Sequence, residues 1–204
     1  MVGMTSKLST IDDDSANLIW HDMLEGNRRF AEGKQEHARQ DVDTRKGLVD
    51  AQHPKAAVLS CADSRVTPEM IFDQGIGDLF CVRSAGSILD SAVVESLEYA
   101  VRKLGVKVIV VMTHENCGAI QAAMEGGHDD ELPHLMRELG DAVECAKDAE
   151  LDDPADVERI HAARVIERLV DQSDVIRRAV ADDRLYIAGA RYAMSTGLVE
   201  VLSF

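Results

Sequence analysis

"VKVIVVMTHENCGA", residues 106–119, decides the fold of this 204-residue chain. Its first half is a nearly unbroken run of β-branched residues, the pattern of a strand covered on both faces, as in a parallel sheet. Its second half turns polar at His114 and restarts at Cys117, where "CGAIQAAMEGG" reads as the opening of a helix. A strand that runs straight into a helix is the repeating unit of an α/β fold.

The same alternation extends outward in both directions. "AAVLS" (56–60) and "DLFCVRS" (78–84) read as strands before it, and "RLYIAGARY" (184–192) and "LVEVLSF" (198–204) as strands after it, joined through "AMSTG". "SANLIWHDMLEGNRRFAEG" (15–33) is an amphipathic helix with Ser15 as N-cap. Trp20, Met23, Leu24 and Phe30 share a face, and Gly33 ends it. "PEMIFDQG" (68–75) reads as a helical turn closed by Gly75. "DSAVVESLEYAVRKLG" (90–105) is a helix capped by Asp90 or Ser91 and ended by Gly105. "ERIHAARVIERLVDQSDVIRRAVAD" (158–182) is helical, in one segment or two. Residues 34–55 read as irregular, and the acidic stretch 126–157 breaks the pattern. The expected fold is α/β, with a mainly parallel central sheet of about four strands plus an edge strand, flanked by helices, in a single domain over 1–204.

Composition narrows the function classes. The chain carries 37 acidic against 22 basic residues, a net charge of −15, with no clustered basic face. That argues against nucleic acid and against an anionic membrane surface as partners. Apolar runs are strand-length, so no membrane span is expected. The N-terminus lacks a basic stretch followed by an apolar run, so a cytoplasmic location is expected. The four cysteines, Cys61, Cys81, Cys117 and Cys145, are then expected as thiols, free to bind metal.

Two of those thiols sit in motifs. "SCADSRVTPEM" (60–70) places Cys61, Asp63 and Arg65 at the end of one strand, and "HENC" places His114 and Cys117 three apart at the end of another. Functional sites of open α/β sheets gather at the carboxyl ends of the strands, so the two motifs meet if the strands are neighbours. Two thiolates, one imidazole and a carboxylate suit zinc. Four protein ligands would close the site and make it structural. Three would leave a place for water, and Asp63 decides between them. A bidentate Arg65 pair would draw its carboxylate off the metal, where it can accept a hydrogen bond from the zinc-bound nucleophile. Taken alone, each pattern is equally a buried core cysteine, a structural histidine or a turn ion pair. Cys81 and Cys145, and the histidines at 21, 37, 53, 128, 134 and 161, carry no spacing signal.

In this order and spacing, "CADSR" and "HENCGA" resemble the β-class carbonic anhydrases, as do "EGNRRFAEG", "FDQGIGDLFCVRSAG" and "ESLEYAVRKLGVKVIVV". The likeness runs from about Trp20 to Met124 and returns over "IAGARYAMSTGLVEVL". It implies reversible hydration of carbon dioxide to bicarbonate and a proton by attack of zinc-bound hydroxide. It implies Zn2+ on Cys61, His114 and Cys117, the Asp63–Arg65 dyad as catalytic residues, and Asp63 as a fourth ligand only in a closed state. Two thiolates donate more charge than imidazoles would, so activity is expected to rise toward alkaline pH.

The resemblance is to the open-site, plant-type group. Gln52 stands at the bicarbonate-binding glutamine, nine residues before Cys61. The tryptophan of an inhibitory bicarbonate site is replaced by Val58, although Arg83 and Tyr99 match other members of that site. Phe80, Ala85 and Tyr99 are implied around the substrate, and the Gly118 N–H is implied to face the anion. Ser84 or Ser87 stands where many relatives have an asparagine. The family also implies a homodimer or tetramer, with the pocket built from two chains and an N-terminal arm, about 1–35, packed on the partner. The alternatives are a zinc hydrolase of carbonyl sulfide or carbon disulfide on the same scaffold, and a non-catalytic zinc-binding interaction module. A thiol redox protein is disfavoured by the absence of a Cys-x-x-Cys motif.

Overall fold

A computed structural model describes residues 15–126 and 132–203. The "IDDD" run at 11–14, the rest of the arm before Ser15, His128 and Phe204 lie outside the described residues. Helix α1 (Ala16–Ala31) starts where the Ser15 side chain accepts the Leu18 N–H, and the chain leaves it through Gly33 at φ +68°. Short α2 (Val42–Gly47) follows, capped by Asp41, whose carboxylate accepts the N–H groups of Asp43 and Thr44. None of its residues is buried. A helix with no apolar face leaves no periodic signal, which is why 34–55 reads as irregular in sequence.

Strand β1 (Ala56–Cys61) is buried along its length. Helix α3 (Pro68–Ile71) is one turn, shorter than expected, and ends before Gly75. Gly75 serves a close approach instead. A Cβ there would lie 2.3 Å from the Ala38 carbonyl oxygen and 2.5 Å from Arg39 Cβ, so the 38–39 loop needs a glycine beneath it. Strand β2 (Leu79–Ser84) is followed by a tight 3-10 turn at Ala85–Ser87. Helix α4 (Ser91–Tyr99) is capped by Asp90, which accepts the Val93 N–H at 2.8 Å, and runs on as a π-helical turn to Gly105. Strand β3 (Val108–His114) is buried throughout and leads to α5 (Gly118–Met124).

The acidic stretch contains a helix, α6 (Pro133–Asp148), that buries Met136, Leu139, Ala142, Val143 and Ala146. Their spacing is helical, but Gly140, the acidic residues and the absence of a capping side chain mask the start. The expected helix at 158–182 is two segments, α7 (Pro154–Gln172) and α8 (Asp174–Ala181), with Ser173 between them capping the second. Strands β4 (Tyr186–Tyr192) and β5 (Val199–Leu202) close the fold.

Among the described residues the sheet has five strands in the order β2-β1-β3-β4-β5. The first four are parallel, and β5 is the antiparallel edge. One face packs Ala57, Leu59, Ile109 and Val111 against α4, α7 and α8. The other packs Ala56, Val58, Val108 and Val110 against Ile19, Trp20 and Met23 of α1 and Phe72 beside α3. The apolar face of α1 therefore covers the chain's own sheet. Buried Asn27 fixes it there, donating to Ile71 O and Gly197 O and accepting the Val199 N–H. A third cluster, built from α5, α6 and α7, encloses Cys61 and Cys117 at the carboxyl end of the sheet.

Candidate metal centre

Adjacent strands β1 and β3 deliver the ligands. Cys61 is the last residue of β1, His114 the last of β3, and Cys117 lies one turn later at the N-cap of α5. The Cys61 and Cys117 sulfurs and a His114 ring nitrogen all lie within 4.8 Å of one another, and all three residues are buried. His114 Nδ1 pairs with the Glu115 carbonyl at 2.9 Å and so carries the ring hydrogen. That leaves Nε2 as a bare lone pair, buried and without a hydrogen-bond partner among the described residues. An orphaned imidazole nitrogen beside two thiols is the donor set that zinc takes, and the bond at Nδ1 is the outer support that orients such a ligand.

The electrostatics agree. The Cys117 thiol, hydrogen-bonded to Cys61, lowers the Cys61 pKa to about 4 against the effect of burial, with help from His114 and from main-chain N–H groups. Those N–H groups belong to Gly86, at 3.3 Å from Cys61 Sγ, and Asp63, at 3.4 Å. The neighbouring Cys61 thiolate, and then burial, push the Cys117 thiol up. Burial would lower His114, but the Cys61 thiolate more than reverses it and the net shift is upward. A cluster that holds a proton this tightly when empty is one that a cation can occupy in the proton's place.

Asp63 stands beside the cluster, outside the group that converges on one point. Arg65 donates to it bidentately, Nε to Oδ1 at 3.0 Å and Nη2 to Oδ2 at 2.8 Å, and the Arg65 main-chain N–H adds a third bond at 2.9 Å. The guanidinium holds the Asp63 carboxyl well below the usual carboxylate range. Arg65 also reaches the Asn116 carbonyl at 3.3 Å, tying the loop after β1 to the loop after β3.

The expected substrate residues divide into two groups. Ala85 and Gly118 adjoin the cluster in sequence: Ala85 precedes the glycine whose N–H meets Cys61 Sγ, and Gly118 follows Cys117 at an exposed position. Gln52, Phe80 and Tyr99 do not meet the cluster within this chain. Gln52 precedes the first residue of β1, whereas Cys61 is its last; at about 3.3 Å per residue β1 alone separates them by roughly 16 Å. Phe80 pairs in register with Ala57, while Ser84 pairs with Cys61, so Phe80 also lies toward the far end. Tyr99 stands with Phe80, ring centroids 6.2 Å apart, and is 48% exposed.

Several further residues bear on the site. Arg83 donates to the carbonyls of Cys61 at 3.1 Å and Asp63 at 2.7 Å, so it braces the dyad loop, while Val58 is core. The serines in place of asparagine are both used internally: Ser84 Oγ donates to Ile88 O and Ser87 Oγ to Met112 O. On α7, His161 meets the Gly86 carbonyl and Glu158 forms a buried pair with Arg191. Neither α7 residue is near "CADSR" or "HENC" in sequence, so only the tertiary fold reveals them.

Comparison with known proteins agrees with this geometry. The profile of the carbonic anhydrase family matches residues 56–199, a span that contains all three candidate ligands and the dyad. Carbonic anhydrase 2 of Mycobacterium tuberculosis is 39% identical over 183 residues, covering 87% of this chain and 88% of that protein. A carbonic anhydrase of Mycolicibacterium smegmatis is 35% identical over 189 residues, covering 90% and 92%. A tetrameric β-carbonic anhydrase of Sordaria macrospora superposes with a TM-score of 0.72 at 25% identity, covering 91% and 97%. With that match over most of its length, and with the sheet order and cysteine–histidine cluster already in place, the chain belongs to the β class of the carbonic anhydrase family.

Proposed function

We propose that this enzyme hydrates carbon dioxide reversibly to bicarbonate and a proton, using zinc held by Cys61, His114 and Cys117. The observation that carries the reading is the division of labour at the site. Three buried soft or borderline donors converge, one with an unpaired lone pair, while the nearby carboxylate is fully engaged by an arginine. Zinc there supplies a Lewis acid that acidifies water, so that a nucleophile exists near neutral pH.

The chain's own residues do the rest. Arg65 keeps Asp63 ionised and turned from the thiolates. Asp63 then serves as a fixed hydrogen-bond acceptor that orients an O–H donor beside the cluster. Arg83 and the Arg65–Asn116 bond hold the two loops at constant separation. Ala85 and Gly118 border the place where substrate enters. Gln52, Phe80 and Tyr99, at the opposite end of the sheet, serve the site of a second copy of the chain, so the working unit is a homodimer or a tetramer. No helix among the described residues is long and apolar enough to cross a membrane. We place the enzyme in the cytoplasm.

The test is the carbon dioxide hydration rate of zinc-loaded protein, followed by stopped flow with a pH indicator at neutral and alkaline pH. Fast turnover that rises with pH is expected. No turnover at either pH, with zinc bound, would overturn the assignment and direct attention to carbonyl sulfide and carbon disulfide as substrates.

A further inference from the structure

We infer that His161 is a positioning residue for the metal thiolate: it locks Gly86 in the conformation that aims a main-chain N–H at Cys61 Sγ. This rests on the metal-site reading above. His161 comes from the middle of α7 and is 2% exposed. Its Nε2 lies 2.7 Å from the Gly86 carbonyl oxygen. A carbonyl only accepts, so Nε2 carries the hydrogen. Burial pushes the ring's pKa down and keeps it neutral.

The geometry at Gly86 explains why a lock is needed. Gly86 is left-handed at φ +64°, and Ser87 after it is left-handed too, at φ +56°. Glycine adopts that region freely, but Ser87 does so at a cost and persists there only because its surroundings hold it. Leu139 side-chain carbons would lie 3.3 Å, and Ala119 Cβ 3.4 Å, from any Cβ at Gly86. The His161 bond fixes the carbonyl side of the turn, and the Ser87 hydroxyl fixes the next residue to β3 at Met112 O. Held this way, Gly86 presents its N–H to Cys61 Sγ at 3.3 Å. An N–H donated to a thiolate withdraws charge from it and fixes its direction, which are the two ways that a residue outside the ligand set tunes a metal.

The same helix face supports the second thiolate. Glu158 lies three residues before His161, so the two project together. Its carboxylate lies near enough to the Cys117 main chain to feel it, and is held by Arg191 Nε at 2.6 Å. Thus α7 places one buried polar group behind each cysteine-bearing loop.

The test uses the whole protein loaded with zinc(II) or with cobalt(II), and three variants: His161→Phe, which removes the donor, His161→Gln, whose amide N–H reaches as far, and His161→Asn, which falls short. Zinc affinity by competition with a chromophoric chelator and the near-ultraviolet thiolate-to-cobalt band are the readouts. His161→Phe and His161→Asn are expected to weaken zinc binding about 10–100-fold and to displace the band, and His161→Gln to restore both. A folded Phe variant with wild-type affinity and band overturns the inference. If the Phe variant does not fold, the Gln and Asn variants decide it, and equal values for those two overturn it. A wild-type chain that takes up neither metal overturns the metal-site reading itself, and this inference with it.

Discussion

The Asp63 carboxylate is committed on both oxygens to Arg65, which also spans to the Asn116 carbonyl on the neighbouring loop. One arginine thus keeps an acid away from a cluster that would otherwise attract it and joins the two loops that carry the ligands. Arg65→Ala removes both effects. The expected result is a zinc content equal to wild type with kcat/KM lower by about 10²–10³-fold, the range lost with one preorganised electrostatic contact. Arg65→Lys keeps the charge without the fork and should fall between the two. Metal analysis beside stopped-flow kinetics checks this; an Arg65→Ala variant as active as wild type would remove the dyad from the mechanism.

Asp63 also constrains the pH profile. Its folded-state pKa is depressed by Arg65, so it is fully ionised above the ordinary carboxylate range and gains its proton only on further acidification. No inflection from Asp63 is expected between about pH 5 and 9. On the proposed mechanism, a rise in activity toward alkaline pH comes from water acidified at the metal, and it should persist, at lower amplitude, in Asp63→Asn. A profile that goes flat in Asp63→Asn would assign the titration to the carboxylate.

Removing the metal should expose a difference between the cysteines. The Cys61 pKa is about 4 in the zinc-free cluster, so its thiolate is present through the neutral range. Burial and the nearby Glu69 push Cys81 up, so it stays a thiol. Chelation followed by iodoacetamide at about pH 6–7 should label Cys61 before Cys81, and zinc should protect Cys61. Peptide mass analysis reads the order. Equal labelling of Cys61 with and without zinc would mean that Cys61 is not a ligand.

The fold was legible where one kind of order dominates. The β-branched run of β3 announced a buried parallel strand, and β1, β2, β4 and α4 followed from the same alternation. The ligand motifs were legible because each lies within a few residues of a strand end, so short spacing translates directly into proximity. Helix α6 was not, because its apolar stripe sits among acids with no cap. Gln52, Phe80 and Tyr99 were readable as residues but not as positions, since one chain puts them at the far end of its own sheet. His161 and Glu158 were invisible, because a polar residue in a helix declares nothing until the fold shows which loop it faces.

That far-end placement gives a prediction in trans. If Gln52, Phe80 and Tyr99 complete a partner's site, a Cys61→Ala chain retains them and lacks only the metal. A Gln52→Ala/Phe80→Ala/Tyr99→Ala chain retains the metal and lacks only them. Each should be weak or inactive alone. Mixed by unfolding and refolding together, they should regain about a quarter of wild-type specific activity, because half of randomly formed dimers are mixed and each has one complete site. No recovery, with mixed dimers shown to form, would mean that the three residues act elsewhere or only in their own chain's structure.

The Glu158–Arg191 pair should matter to stability as well as to the site. Glu158 is buried, and burial raises its pKa even against the Arg191 contact at 2.6 Å. The sign follows: a carboxyl with a raised folded-state pKa contributes its full stability below the unfolded value, and that contribution declines as pH rises through the folded value. The arginine limits the decline, since ionising Glu158 completes the pair. Glu158→Ala leaves the Arg191 guanidinium buried, with Glu200 at 3.8 Å the remaining ion-pair partner among the described residues. Stranding one partner of a buried pair costs about 3–5 kcal/mol, less whatever Glu200 recovers. The double variant Glu158→Leu/Arg191→Met, which strands no charge, should unfold closer to wild type than Glu158→Ala does. Urea unfolding of the zinc-free proteins gives the comparison. A double variant no more stable than Glu158→Ala would show that the charge balance of the pair counts for little.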